Sequence, residues 1–130
     1  DLERLAAGFW PGPLSVLLPT RPDLPPLARD EAGFSSVRVS PHPAVQALCA
    51  ALGGPLVATS AHVSGRPATA RPEALDPEIL RGADGFLDAR PLPVGGAPST
   101  LLRLLGSGRV QILRPGTVRP EELAPLFELA

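Results

Sequence analysis

The chain has 130 residues, 44% of them apolar, and a formal net charge of −1. This length suits one domain with a modest core, and the near-neutral balance excludes a broad basic field for nucleic acid. One cysteine, Cys49, excludes an internal disulfide and a cysteine-built zinc cluster, and no apolar run approaches the ~20 residues that cross a bilayer.

Residues 2–8 read as the end of a short helix (Leu2, Leu5, Ala6), stopped by Gly8 and the Pro11-Gly12-Pro13 turn. Residues 14–18 are an apolar run bounded by prolines, a strand. Residues 19–26 form a proline-rich loop, and residues 27–30 add a helical turn. Residues 35–39 alternate and carry valines, which predicts a strand ending at Pro41. Pro43–Leu52 starts on proline, is apolar at 44, 45, 48 and 52, and stops at Gly53-Gly54, the pattern of a helix. Residues 56–60 read as a buried strand. Residues 72–81 read as a helix split by Pro77 into two short pieces. Residues 85–88 read as a short strand, and 100–105 with 109–113 as a strand pair around Gly106-Ser107-Gly108. A terminal helix over 120–129 is interrupted by Pro125. Strands interleaved with helices predict one α/β domain over residues 1–130, a sandwich built on a mixed sheet.

The stretch most suggestive of function is 55–65, PLVATSAHVSG. A buried strand that ends in small hydroxyl residues and glycine is where an open α/β sheet builds a ligand site. Small side chains admit a ligand to the backbone, and hydroxyls bond phosphate or carboxylate oxygens. As isolated serines, Ser60 and Ser64 would serve equally as turn residues. Arg38, between Val37 and Val39, either faces solvent by alternation or grips a carboxylate with its planar fork. The Gly95-to-Thr100 segment is a flexible turn feeding a strand. Arg114 precedes Pro115, which holds it extended at a strand end. His42, between two prolines, has no Cys, Asp or Glu at ligand spacing and reads as structural. Cys49 reads as a packed thiol, Trp10 as a packing residue, and Glu121 and Glu122 as first-turn acids.

Five blocks in order carry a resemblance: Trp-Pro-Gly-Pro-Leu-Ser at 10–15, Val-Arg-Val-Ser-Pro-His-Pro at 37–43, Ala-Thr-Ser-Ala-His-Val-Ser-Gly at 58–65, Pro-Ser-Thr at 98–100 and Arg-Pro-Gly at 114–116. Together they resemble the YrdC-like domain of the threonylcarbamoyl-AMP synthase family over residues 9–116. The resemblance implies a twisted open-sheet α/β sandwich, incomplete at its N-terminus. An earlier portion with a Lys-x-Arg element has no counterpart, and all 12 basic residues here are arginine. The start at Asp1 and the absence of methionine likewise read as a fragment or a processed chain. One position departs from the family pattern, where asparagine usually stands at His62.

What the resemblance implies is synthesis of threonylcarbamoyl-adenylate from L-threonine, bicarbonate and ATP, with Mg2+ and release of pyrophosphate, for modification of tRNA. Arg38, Ser60 and Ser99 would take threonine; His62, Ser64, Thr69, Thr100 and Arg114 would take ATP. These groups would converge on one pocket for anions. No residue stands out as catalytic and none as a metal ligand. The expected partners are the substrates and the tRNA-modification proteins that receive the product, with weak or no direct nucleic-acid binding. The cytoplasm is the expected compartment, since no signal-peptide pattern opens the chain. These residues alone are expected to be inactive. The rival reading is a non-catalytic nucleotide- or RNA-binding regulatory module of the same fold.

Overall fold

The computed structural model describes residues 1–21 and 23–130; Pro22, in the expected proline-rich loop, lies outside them. The chain divides into two compact units, Asp1–Pro41 with Ala97–Ala130, and His42–Gly96.

In the first unit, the helical spacing of Leu2, Leu5 and Phe9 gives α1 (Leu2–Phe9). Five strands follow: β1 (Leu14–Pro19), β2 (Phe34–Val37), β3 (Thr100–Gly106), β4 (Arg109–Arg114) and β5 (Glu128–Leu129). They form one mixed sheet in the order β2-β1-β3-β4-β5. β1 runs antiparallel to β2 and parallel to β3, and the β3–β4 hairpin is antiparallel. Ser107 and Gly108, with φ of 51° and 75°, form the two-residue turn that the right-handed twist of a hairpin favours.

Register decides which face is buried. Leu14 pairs with Thr100 and Val16 with Leu102, all four fully buried. They pack against Leu5 of α1 and against Val118, Leu123 and Phe127 from the end of the chain. The residues between them, Ser15, Leu101 and Arg103, point to the opposite face. Trp10 packs on the core edge, and its indole N–H donates to the Leu14 carbonyl at 2.7 Å.

Two expectations fail in this unit. The terminal helix is cut to α4 (Pro120–Leu123), because Pro125 has no N–H to continue it. The chain beyond it pairs with Arg109 and Val110 as β5. Arg38 falls just past β2, not within it. The facing residues there are Ser15 and Leu14, and just beyond them Pro13 cannot donate to the ladder; Gly12 N–H donates to Val39 O at 2.9 Å.

The second unit holds α2 (Pro43–Leu52), a 3₁₀ turn at Pro72–Ala74 and α3 (Pro77–Gly82). His42 caps α2 by accepting from Ala44 N–H, and Gly53, at φ 66°, ends it in the left-handed conformation. The expected strands at 56–60 and 85–88 are irregular and exposed instead, with Val57 71% and Leu87 64% accessible. A strand exists only as half of a hydrogen-bonded pair, and among the described residues this unit has no strand to pair with. Apolar runs of this length state a capacity, not a partner.

Candidate functional site

The first unit gathers its polar groups on the sheet face away from the core. Ser15 is the only hydroxyl residue in β1 and is 4% exposed. The parallel register places Ser15 beside Leu101, and Ser99 lies two residues back on the same face. The two hydroxyl oxygens are 2.9 Å apart. Thr100, expected to touch nucleotide, points the other way. It is fully buried, its hydroxyl donates to Val118 O at 2.6 Å, and its N–H donates to Pro13 O at 3.0 Å. Thr100 therefore anchors the strand from behind, on the core side of the sheet.

Arg114 owes its position to a bulge. Leu102 pairs with Ile112, so a regular ladder would set Leu101 against Leu113 and turn Arg114 toward the core. The register slips there, and Leu101 pairs with Arg114 instead. One extra residue thus re-aims the guanidinium onto the face of Ser99, as bulges do beside functional sites. Its Nη2 donates to Ser99 O at 2.8 Å and to Ser99 Oγ at 3.2 Å, and Nε reaches the same carbonyl at 3.3 Å. Nη1 has no partner among the described residues. On the other side of β1, Val16 pairs with Val37, so the register continued one step sets Arg38 opposite Ser15. Arg38 is exposed and makes no hydrogen bond or ion pair among the described residues. Arg38, Ser99 and Arg114 are thus brought to one end of one sheet face, with Ser15 among them. Ser15 closes the block at 10–15, and its local signal is a lone hydroxyl inside an apolar strand.

The second unit brings His62 and Thr69 into the lining of one cavity of about 450 Å3, together with Arg66 and Asp76. His62 N–H donates to Ser60 O at 3.0 Å, while its ring Nδ1 is enclosed and has no partner among the described residues. Thr69 Oγ1 accepts from Arg71 N–H at 3.0 Å. Ser60 and Ser64 are exposed beside this loop. His42 takes the structural role expected of it: Nδ1 accepts from Ala44 N–H at 3.2 Å, and Nε2 lies 2.9 Å from Pro91 O. Cys49 is a free, half-buried thiol.

Asp76 caps α3 by accepting from Glu78 N–H at 2.9 Å, and it pairs with Arg66. The Glu78 amide first, and then the Arg66 guanidinium, hold its carboxyl below the ordinary 3.8. A lowered folded value means the capping contribution is present above the ordinary value and is lost as pH falls through the folded one. In an NMR titration, the Glu78 amide signal should therefore move with a midpoint below 3.8; a midpoint at or above that value rejects the cap.

Among the described residues, no group of three or more His, Cys, Asp or Glu side chains stands together, and no helix is long and apolar enough to cross a membrane. These donors do not make a cage for Mg2+, which is commonly held largely by substrate phosphates and water.

The Sua5/YciO/YrdC family model, described as telomere recombination, matches residues 1–116. The chain belongs to the Sua5/YciO/YrdC family. This Sua5/YciO/YrdC chain is similar to the threonylcarbamoyl-AMP synthase of Stenotrophomonas maltophilia, 43% identical over 103 residues, 75% of this chain and 55% of that protein. It is equally similar to that of Xanthomonas campestris pv. campestris, 43% identical over 106 residues, 81% of this chain and 54% of that protein. The chain spans about half the length of the curated relatives it matches. Among solved structures, P. abyssi Sua5 complexed with L-threonine aligns with a TM-score of 0.76 at 25% identity, over 99% of this chain and 38% of that one. A double-substituted P. abyssi Sua5 aligns at 0.77 and 25%, over 98% and 40%. The mixed-sheet α/β fold expected from the sequence is the fold of these Sua5 structures.

Proposed function

We propose that this protein forms threonylcarbamoyl-AMP from L-threonine, bicarbonate and ATP, for modification of tRNA. The observation that carries the reading is the 43% identity to proteins named threonylcarbamoyl-AMP synthase. The Ser99–Arg114 arrangement supports it chemically. The threonine amine adds to bicarbonate with loss of water. A carbamate oxygen then bonds to the α-phosphorus while the α–β bridging oxygen leaves with pyrophosphate. Every reactant is anionic or zwitterionic, so the protein's work is to position them and neutralise charge.

By motif, Arg38, Ser60 and Ser99 take threonine, and His62, Ser64, Thr69 and Arg114 take ATP. Magnesium enters with the triphosphate and neutralises its charge; no side-chain cage is assigned to it. The one family match, over residues 1–116, takes in all of the second unit and most of the first, which supports reading residues 1–130 as a single YrdC-like domain. We propose the cytoplasm as the compartment of this reaction, with tRNA-modification proteins as receivers of the product.

The test is calorimetric titration of the protein, expressed as its gene encodes it, with ATP, with L-threonine and with both, alongside an assay of pyrophosphate release. Binding of both ligands with threonine-dependent pyrophosphate release is the expected result. Binding without turnover would favour the regulatory-module reading, and no binding of either ligand would reject both.

A further inference from the structure

The hydroxyl pair of Ser15 and Ser99 in the first unit has a favoured direction. A serine hydroxyl has one proton to donate and two lone pairs to accept with. Ser15 is 4% exposed, and its only side-chain partner among the described residues is Ser99 Oγ at 2.9 Å. Either oxygen can donate across this contact, but a buried hydroxyl proton needs an acceptor, which favours Ser15 as the donor to Ser99. Arg114 Nη2 donates to the same oxygen from 3.2 Å. Both lone pairs of Ser99 are then filled from inside the protein. Its own proton is left to point outward, and Ser99 is half-exposed, open to an outside acceptor.

We infer that Ser15 is a positioning residue: together with Arg114 it turns the Ser99 hydroxyl into a committed donor for the carboxylate of the amino-acid substrate. This inference rests on the proposed amino-acid binding at Ser99 and deepens it. Without Ser15, the Ser99 proton can turn inward or rotate, and the carboxylate meets a donor that must first be oriented. The loss is that of one neutral hydrogen bond, about threefold to tenfold in affinity.

The experiment is calorimetry with L-threonine and with L-threoninol, which lacks the carboxylate, on the protein expressed as its gene encodes it. Ser15→Ala should weaken threonine by about threefold to tenfold and leave threoninol unchanged. In a Ser99→Ala background the same substitution should have no further effect. Ser15→Thr and Ser15→Val add similar bulk and differ in the hydroxyl, so this pair carries the test if Ser15→Ala does not fold. Thr should bind threonine better than Val by the same factor. Equal affinities for that pair, an unchanged Ser15→Ala, or an undiminished loss in the Ser99→Ala background would overturn the inference while leaving threonine binding intact. A wild-type protein that binds no threonine would overturn the amino-acid reading, and this inference with it.

Discussion

Replacing Gly116 by alanine is expected to destabilise the protein by about 3 kcal/mol and to abolish detectable binding of L-threonine. A Cβ built on Gly116 would lie 2.3 Å from Pro98 O and 2.6 Å from both Ser99 C and Thr100 N. All three are backbone atoms, so no side-chain rotation relieves the clash. The contact also holds the site. Thr117 N–H donates to Pro98 O at 2.9 Å, and the Thr117 hydroxyl reaches Ala97 O at 3.1 Å and Pro98 O at 3.2 Å. Pushing the two segments apart breaks these bonds and moves Ser99 away from Ser15 and Arg114 together. Chemical denaturation checks the stability and calorimetry the binding. Gly54→Ala is the control, because a Cβ there meets nothing within 4 Å, and its midpoint should stay close to wild type. A Gly116→Ala midpoint equal to that of the control would reject the close approach.

That role for Gly116 shows how far the sequence could be read. Gly116 belongs to an Arg-Pro-Gly block that is recognisable in the chain, yet nothing local says that its missing side chain accommodates residues 98–100. Features set by neighbours in sequence were legible: α2 between Pro43 and Gly53, the Ser107-Gly108 hairpin, and the break at Pro77. Features set by distant partners were not. The apolar residues at 56–58 have strand composition, but pairing is a property of two segments and their own unit supplies no second strand. Glu128–Leu129 lies past a proline with no local strand signal and becomes β5 only because Arg109 and Val110 are there to pair with it. The site divides in the same way. Ser99 and Arg114 are singled out through their blocks, while strict alternation would have turned Arg114 to the core with Ile112. The bulge that corrects this leaves no mark in the sequence. Thr100 lies on the buried face for the converse reason, since its alternation partner Ser99 took the open one.

Arg114→Ala should lower ATP affinity by about 1.5–3 kcal/mol, roughly tenfold to a hundredfold. The guanidinium is already held flat by two bonds to Ser99 O, at 2.8 and 3.3 Å, so little side-chain freedom remains to be lost when an anion binds at Nη1. Arg114→Lys should recover only part of that loss. An ammonium keeps the charge, but it lacks the planar fork that lets one group hold Ser99 and a phosphate oxygen at once. The two variants separate charge from geometry. Because Arg114 is exposed, its charge contribution is screened by salt; titrations at rising ionic strength should weaken wild type and Arg114→Lys alike and Arg114→Ala less. If Arg114→Ala binds ATP as wild type does, Arg114 has no part in nucleotide recognition. If Arg114→Lys matches wild type at every salt concentration, charge alone suffices and the bulge-set geometry is irrelevant to it.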